Sequence, residues 1–448
     1  MQRPVFHASL YDRESPPASY WAAVTPAPVF DPLPGDCETE VAVIGGGFTG
    51  LSAALHLARD HGIHAVVLEA GAIGWGASGR NAGFNTLPAT KHATRTLFAH
   101  WCEDDVRAFF EAQQQGQALV QDLAMSEGFD LQSTGSGVFW VAHTVRAVQA
   151  LAEEGQWLAR AGVTARLLDA EEFRRCGHGG REAFGALHLL AGGGINPLAL
   201  TYGLALAARR HGATVCAHSP VRIWRAADGR HVLETPQGRV RARKVVLATN
   251  AYRDGVDPAA LQRRVLPAIS NIVVTEPLSA AKWDALGLVT EAPMSDSRHL
   301  VSYYRRLPDG RLLFGARGDT LGDPGQQARM QARLMALIAR KFPDAGPLAP
   351  AWFWQGLVAL TRRFLPSLGT VPGDDSVHYA FGCFGSGVNT MPWMGRTIAR
   401  RIAGRRPTAA ESCELFRDLP APLPRSPWLQ RKGLQLAYAH YALLDALP

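Results

Sequence analysis

Three glycines and one glutamate have the spacing of a dinucleotide-binding turn. Gly45, Gly47 and Gly50 follow the apolar run at residues 40–44, and Glu69 comes nineteen residues after Gly50. The first glycine permits a tight turn, the second lets backbone N–H groups approach a pyrophosphate, and the third allows close packing of helix on strand. Glu69 can accept hydrogen bonds from both hydroxyls of an unphosphorylated ribose and would repel a 2′-phosphate. The pattern therefore predicts FAD or NAD, and not NADP.

A β-α-β unit positions these residues. The period changes to that of a helix at Phe48 and Thr49, the pair His61-Gly62 predicts its end, and a second buried strand is predicted at residues 65–68. The cofactor phosphates would then lie at the positive end of the helix, beside Phe48 and Thr49. Glu69 and the following Ala70 would face the ribose.

A second loop of small residues follows at residues 74–83. A simple NAD domain would begin its next helix here, so a long cofactor such as FAD is favoured over NAD. A flexible linker is the alternative, but linkers rarely place Trp, Arg and Asn among glycines. The predicted contacts with diphosphate, ribityl chain and flavin edge are Gly76, Ala77, Ser78, Gly79, Arg80, Asn81, Ala82 and Gly83.

The loop and five other segments resemble one family. The run Gly-Ala-Ser-Gly-Arg-Asn at residues 76–81 is close to a signature of the D-amino-acid oxidase-type (DAO) superfamily, in its gamma-glutamylputrescine oxidase-like branch. The further segments are residues 19–21, 245–250, 302–311, 354–369 and 382–388. Their order along the chain is more specific than any one of them.

This resemblance implies further contacts with a non-covalently bound FAD. Val221 would face the adenine, and the turn Ala248, Thr249 and Asn250 would bring backbone back to the cofactor. A second helix N-terminus would point at the flavin pyrimidine end. The residues predicted there are Gly385, Ser386, Gly387 and Val388, with the helix continuing through Arg400.

The predicted fold is α/β. A Rossmann-type FAD-binding domain (DAO/glutathione-reductase-like) is assembled from residues 36–95, 196–262 and 352–404. A second α+β domain for the substrate, containing an antiparallel sheet, takes residues 96–195 and 263–351, with strands predicted at 269–275, 299–304 and 312–316. Residues 1–35 and 405–448 are extensions, and the second closes with an amphipathic helix at residues 428–447.

The implied chemistry is oxidation of a carbon–nitrogen bond. A flavin accepts a hydride at N5 from a carbon next to nitrogen, and the imine then hydrolyses. Amino-acid-oxidising members carry an arginine at the position of Val358 that clamps the substrate carboxylate, and the sarcosine-oxidase branch carries a lysine at that of Asn389. Both clamps are missing here, which favours an amine such as gamma-glutamylputrescine or another polyamine conjugate.

Four more residues are candidates for the pocket or its surroundings. Tyr304 aligns with a pocket tyrosine of glycine-oxidising relatives, so Tyr304 and Asn389 are the candidate catalytic residues; packing on the sheet is an equal alternative for Tyr304. Arg298 and Arg305 would line the entrance or be solvated. A lysine associated with oxygen activation is replaced near Leu313, so the acceptor is oxygen or an electron carrier.

Composition excludes several other classes of protein. The net charge is +7, but the basic residues are dispersed, which disfavours nucleic acid as a partner. The six cysteines have no metal-binding spacing, so no metal is predicted. Neither a transmembrane segment nor a signal peptide is evident, and the expected location is the cytoplasm.

Two other functions remain open from sequence. One is a D-amino-acid or glycine/sarcosine-type oxidase or dehydrogenase of the same fold. The other is a noncatalytic dinucleotide-binding protein, whose positive charge would serve a macromolecular partner.

Overall fold

The computed structural model describes residues 4–15, 18–253 and 255–446. These residues form two eight-stranded sheets and one two-stranded sheet, with helices packed on them. This combination confirms the predicted α/β class with an additional antiparallel sheet. No helix in the described part of the chain is long and apolar enough to cross a membrane.

The strands are numbered in chain order. They are β1 (Cys37–Ile44), β2 (Ala65–Leu68), β3 (Phe84–Asn85), β4 (Val138–Val141), β5 (Ala165–Asp169), β6 (Gly185–Leu189), β7 (Gly193–Gly194), β8 (Thr214–Cys216), β9 (Ile223–Ala227), β10 (Arg230–Glu234), β11 (Arg239–Leu247), β12 (Leu266–Thr275), β13 (Met294–Asp296), β14 (Ser302–Arg306), β15 (Leu312–Arg317), β16 (Pro350–Leu360), β17 (Ser367–Val371) and β18 (Asp374–Phe381).

The α-helices are numbered in the same way. They are α1 (Tyr20–Val24), α2 (Phe48–His61), α3 (Thr94–His100), α4 (Glu103–Glu127), α5 (Val145–Arg160), α6 (Ala170–Cys176), α7 (Pro197–Arg210), α8 (Ala280–Leu286), α9 (Pro324–Lys341), α10 (Gly387–Ile402), α11 (Ala409–Ser412), α12 (Glu414–Arg417) and α13 (Pro427–Ala446).

The first sheet has a parallel centre. Its main order is β17-β18-β11-β1-β2-β8, with parallel pairing from β18 to β8, and β10 and β9 extend it beside β11. All four residues of β2 are buried, as expected of a parallel strand covered on both faces. The carboxyl ends of β1, β2 and β11 therefore meet at one edge.

The second sheet is almost entirely antiparallel. Its order is β16-β12-β15-β14-β13-β4-β6-β5, and only β13 and β4 run in parallel. The register pairs β16 with β12 along nearly its whole length. The predicted domain boundary at residue 352 thus falls inside a strand of the second sheet.

The nucleotide-binding unit folds as its sequence predicts. The helix α2 begins at Phe48 behind Gly47 and ends at His61, and Gly62 takes the left-handed conformation with φ +62° that terminates many helices. Strand β2 has the predicted bounds, whereas β1 begins three residues before the predicted residue 40.

Both ends of the described chain pack on the body. The indole Nε1 of Trp75 donates to the Asp12 carbonyl at 2.7 Å, which holds residues 4–15 beside the nucleotide-binding loop. At the other end, the Asp445 carboxylate accepts from the backbone N–H groups of His299 and Leu300. The predicted closing helix is α13; Leu447, its predicted last residue, lies outside the described residues.

The helix α10 lies against α2 without room for a side chain between them. A Cβ added to Gly395 would collide with the carbonyl oxygen of Thr49 and come 2.9 Å from the Ala53 nitrogen. By contrast, a Cβ on Gly433 in α13 would meet no atom within 4 Å. Close packing at Gly395 therefore sets the position of the N-terminal turn of α2.

We expect Gly395→Ala to lower the free energy of unfolding by about 1–3 kcal/mol, because backbone must move to admit the methyl group. The matched control, Gly433→Ala, should leave stability unchanged or raise it by up to about 1 kcal/mol through helix propensity. Chemical denaturation of both variants measures the difference. Equal stability of the two variants would contradict the close packing of α10 on α2.

Candidate active site

A first cavity opens at the carboxyl ends of β1, β2 and β11, where nucleotides bind in open α/β sheets. Thirteen of the residues predicted to contact the cofactor line it. They are Gly45, Gly47, Phe48, Thr49, Glu69, Ala70, Gly76, Ala77, Ser78, Val221, Ala248, Thr249 and Asn250. The structure thus brings together segments that lie more than 200 positions apart in the sequence.

The glycines keep this cavity free of side chains. Gly45 has φ +108°, and a Cβ there would lie 2.8 Å from the Ala248 carbonyl oxygen. A Cβ on Gly47 would lie 2.9 Å from the Ser78 hydroxyl, which accepts a hydrogen bond from the Phe48 N–H. Gly50 does not line the cavity: it packs against the carbonyl of Gly45, as its predicted role in helix–strand packing requires.

Glu69 is held by backbone at the end of β2. Its carboxylate accepts from the N–H groups of Gly46 at 2.6 Å and Gly71 at 2.9 Å. Burial raises the pKa of Glu69, and these N–H groups and the nearby Arg13 oppose the rise. A fixed carboxylate at the cavity wall is placed to accept from ribose hydroxyls, although that contact remains a prediction.

Two buried polar atoms support the fit of a flavin dinucleotide. The Thr249 hydroxyl beside the first cavity and Nη2 of Arg80 beside the second are buried and have no hydrogen-bond partner among the described residues. Buried polar groups are rarely left unpaired. A ligand with polar groups along its length would satisfy both, and FAD is such a ligand.

The loop of residues 74–83 borders both cavities and is held by its own side chains. The Asn81 amide donates to the carbonyls of Ala77 and Ser78, and its oxygen accepts from the Gly83 N–H. Arg80 donates from Nε to the Trp75 carbonyl and lies 4.5 Å from the centre of the Trp75 ring. Arg80 and Asn81 line the second cavity. Their hydrogen bonds to protein atoms hold the loop, and their contact with the cofactor stays a prediction.

Two tryptophans from other elements fix the outer side of this loop. Nε1 of Trp21 in α1 donates to the Asn81 carbonyl, and Nε1 of Trp354 in β16 donates to the Arg80 carbonyl, both at 2.8 Å. This contact gives the early segment at residues 19–21 a role. Gly79 and Gly83 do not line either cavity; they allow close approach to the carbonyls of Gly74 and Ile195.

A second cavity of about 330 Å³ lies between the loop and the second sheet. Ala77 belongs to the walls of both cavities, so the two adjoin there. Predicted residues on the second wall are Arg80, Asn81, Ala82, Gly385 and Ser386, together with Val358 and Arg298. Gly387 and Val388 lie one step further into α10 and line neither cavity, so their predicted contact with the cofactor remains a prediction.

Part of the wall of the second cavity is apolar. Its apolar residues are Phe84, Leu87, Trp140, Leu151, Ile272 and Val301. Polar and charged residues also line the cavity, and among them the Tyr303 hydroxyl lies 2.7 Å from the Ser270 hydroxyl and 3.3 Å from the Asn271 carbonyl oxygen. A concave site that combines apolar walls with convergent polar groups is typical of a small-molecule pocket.

The structure does not place Tyr304 in this pocket. Its ring is completely buried on the opposite face of β14, stacked on Phe314, and its hydroxyl pairs with Nε2 of His178 at 2.8 Å. Tyr303 lines the cavity instead. Successive residues of a strand face opposite sides, so a one-residue error in alignment reverses the assignment.

Asn389 is also wrongly placed by the sequence argument. Its amide donates to the Gln113 carbonyl in α4, and the side chain is completely buried between α10 and α4. Asn389 is on the face of α10 that packs on α4, away from the cavity. It therefore supports the helix that follows the Gly385 turn.

The expectations for Arg305 and Leu313 are corrected, whereas Arg298 lies at the cavity. Arg305 is neither at the entrance nor solvated: it is buried, donating to Thr134 and the Ile195 carbonyl. Arg298 does line the cavity and is paired with Asp296 at 2.6 Å. Leu313 packs in a cluster with Trp21 and does not face either cavity.

Sequence reasoning missed two cations of the second cavity, Lys91 and Arg317. Lys91 is exposed at the cavity. The protein around its ammonium group and the like charge of Arg317 lower the pKa of Lys91. No motif marks Lys91, whereas Arg317 ends the predicted strand β15 and could have been found by extending that strand one residue.

In the first cavity, the additional residues come from near the predicted motifs and from the N-terminus. Gly46 and Trp75 lie within the glycine-rich segments themselves, and Tyr252 follows the predicted turn at residues 248–250. The Tyr252 hydroxyl accepts from the Leu357 N–H, which ties this turn to β16. Arg13 comes from the N-terminal extension, where no sequence pattern predicts a residue of this cavity.

Comparison with known proteins agrees with this geometry. The sequence model of the family described as FAD dependent oxidoreductase (DAO) matches residues 40–401. Gamma-glutamylputrescine oxidoreductase of Escherichia coli (strain K12) is 32% identical, over 96% of this chain and 98% of that protein. Glycine oxidase of Bacillus licheniformis is 26% identical over 84% and 96%. The crystal structure of glycine oxidase from Geobacillus kaustophilus has a TM-score of 0.68 at 23% identity, covering 83% of this chain and 96% of that one.

We expect Glu69→Ala to weaken FAD binding by about tenfold or more, because it removes the half-buried carboxylate and leaves two backbone donors unpaired. The control is Glu40→Ala, an exposed carboxylate on β1 that pairs loosely with Arg243. The measurement is titration of the apoprotein of each variant with FAD, followed by flavin absorbance. Unchanged FAD affinity of Glu69→Ala would exclude the predicted ribose contact.

Proposed function

Because the chain belongs to the DAO family of FAD-dependent oxidoreductases, we propose that its substrate is an amine whose reacting end carries no α-carboxylate. Oxidation of a carbon–nitrogen bond is the activity that the family implies. A polyamine conjugate of the kind named in its 32% identical relative is the substrate class that we favour.

One observation carries this proposal. Val358, the residue at the position where amino-acid-oxidising members have an arginine, is on the wall of the second cavity beside Gly356 and Leu357. Valine offers no donor to a carboxylate. A carboxylate at this point of the pocket would therefore lose its water without gaining a partner, which is costly.

The apolar wall fits a chain of methylene groups. Leu87, Leu151 and Ile272 line the second cavity and not the first, so they can contact the aliphatic body of a substrate bound there. Burial of each methylene is worth about 0.8 kcal/mol. An extended aliphatic amine buries more apolar surface against these residues than a small amino acid does.

Bound FAD would supply the hydride acceptor, and the protein's residues need to bind, orient and desolvate the amine. Desolvation of the amine in the cavity favours its reactive neutral form. The Tyr303 and Ser270 hydroxyls form the polar pair on the sheet wall and can orient a substrate nitrogen or amide.

We propose that the flavin is bound non-covalently. The nearest candidate for attachment in the turn at residues 382–387 is Cys383, which is buried, and burial raises the pKa of its thiol. A thiol with a raised pKa is a weak nucleophile. Acid precipitation of the protein should release all of its flavin into the supernatant.

The decisive experiment is anaerobic reduction of the purified yellow protein. We expect bleaching of the flavin absorbance by an acylated diamine, and little by glycine, sarcosine or D-alanine. Bleaching by amino acids alone would favour the amino-acid oxidase alternative, for which the glycine oxidase relatives are the supporting observation. Admission of oxygen then distinguishes an oxidase, which regains colour at once, from a dehydrogenase, which needs an electron carrier.

The neighbouring tyrosines provide a matched pair of variants. Tyr303→Phe removes a hydroxyl from the cavity, so it should raise the KM or lower the kcat for the amine. Tyr304→Phe leaves Nε2 of buried His178 without its partner and should cost about 1–3 kcal/mol of stability, with KM unchanged. Steady-state kinetics and thermal unfolding of both variants test the assignment, and the opposite pattern would restore Tyr304 to the pocket.

A further inference from the structure

We propose that Lys91 and Arg317 form an anion-binding subsite in the second cavity, which takes a carboxylate carried by the amine substrate at a distance from its reacting carbon. The inference rests on the proposed amine oxidation and specifies its substrate class. It assigns recognition of an anion to two residues outside the motifs that mark the cofactor site.

The charges on the cavity wall are mostly positive. Among the described residues that line it, the charged ones are Arg80, Lys91, Asp296, Arg298 and Arg317, so four cations face one carboxylate. An excess of positive charge in a concave, partly desolvated site attracts anions more strongly than the same charge on an open surface.

Two of the four cations are already neutralised or engaged. Arg298 pairs with Asp296 at 2.6 Å and with Glu182 at 2.7 Å. Arg80 donates to the Trp75 and Gln355 carbonyls and stacks on the Trp75 ring. Asp296 is itself committed, because its second oxygen accepts from the Ser302 N–H.

Lys91 and Arg317 have no such partners. No hydrogen bond or ion pair to either side chain is formed by any residue that the structure describes. Of the charged groups near Lys91, Arg317 lowers its pKa and the carboxylates of Asp445 and Asp296 raise it. Lys91 and Arg317 thus act on each other as like charges, and an anion bound between the two cations would relieve their repulsion.

Strand register places Arg317 on the same wall as the substrate-facing residues. Ser270 of β12 lies opposite both Gly356 of β16 and Arg317 of β15, and all three line the cavity. Arg317 is thus two strands away from the strand of Val358, a displacement of about 10 Å at normal strand spacing. Nη2 of Arg317 approaches the turn at Gly385, lying 3.5 Å from where a Cβ of that glycine would be.

The chemistry of the pair suits a carboxylate. A guanidinium presents two parallel N–H donors, and a neighbouring ammonium adds a third donor and a second charge. Val358 cannot bind a carboxylate next to the reacting carbon. Lys91 and Arg317 would instead bind a carboxylate farther along the substrate. The substrate would then be an amine at one end and an acid at the other, joined by an aliphatic chain.

The test uses two substrates that differ only in charge. One is putrescine acylated by one end of glutaric acid, which leaves a free carboxylate; the other has that carboxylate converted to a neutral amide. The wild-type holoenzyme should prefer the acid over the amide by about tenfold to a hundredfold in kcat/KM, the range of a charge-assisted hydrogen bond. In Arg317→Gln and Lys91→Gln, this ratio should fall toward one, and Lys91→Arg should restore most of it.

Control variants carry the same charge change elsewhere. Arg329→Gln and Lys432→Gln alter exposed residues of α9 and α13 and should keep the wild-type preference. Calorimetry with glutaric acid mono-butylamide, which has the carboxylate but no amine, gives a readout independent of turnover. We expect it to bind the wild type and to bind the Arg317 and Lys91 variants at least about tenfold more weakly.

The outcomes separate this inference from the proposed function. Equal turnover of acid and amide by the wild type would overturn the subsite while leaving amine oxidation intact. An equal loss of activity on both substrates in Arg317→Gln would also overturn it, because the arginine would then act on the flavin or on the fold. Failure of both amines to reduce the flavin would instead refute the proposed function.

Discussion

The positions of both cavities depend on how the loop of residues 74–83 is hydrogen-bonded. This loop supplies Ala77, which the two cavities share, and it lies between a parallel sheet on one side and β16 of an antiparallel sheet on the other. Its carbonyls accept from Asn81 within the loop, from Trp21 near the N-terminus and from Trp354 in β16. Trp354 belongs to the antiparallel sheet, and the Ser78 hydroxyl accepts from the Phe48 N–H at the start of α2, so the loop is held from both sides. The proposed FAD site therefore depends on more of the chain than the β-α-β unit.

Sequence predicted the elements that depend on local interactions and missed the contacts that depend on long-range packing. The bounds of α2 and β2 depend on local glycine turns and hydrophobic periods, and they agree with the structure. The placement of Tyr304 in the pocket was wrong because strand register decides which of two successive side chains faces the cavity. Two adjacent tyrosines carry no local pattern that fixes this register. The prediction that Asn389 lies in the pocket was wrong for a related reason. The side of α10 that packs on α4 depends on tertiary packing at Gly116 and Gly395, which no local pattern shows.

Residues that no motif marks complete the site. Lys91 lies in a loop before α3 and Arg13 in the N-terminal segment, and each reaches a cavity only because of long-range packing. Val358 illustrates the opposite case, since its position was predicted from the resemblance and the structure places it on the cavity wall. The absence of an arginine there and the presence of Arg317 two strands away suggest that the pocket recognises an anionic group at a different distance from the flavin.

We propose that the two adjoining cavities form one FAD site with the substrate pocket beside it. A crystal structure of the FAD-loaded protein tests this most directly. We expect the adenosine half beside Glu69, the diphosphate at the N-terminus of α2, and the isoalloxazine ring in the second cavity between the loop of residues 74–83 and Gly356 to Val358. Electron density for the ring outside the second cavity, or for a cofactor that does not approach Glu69, would contradict this proposal.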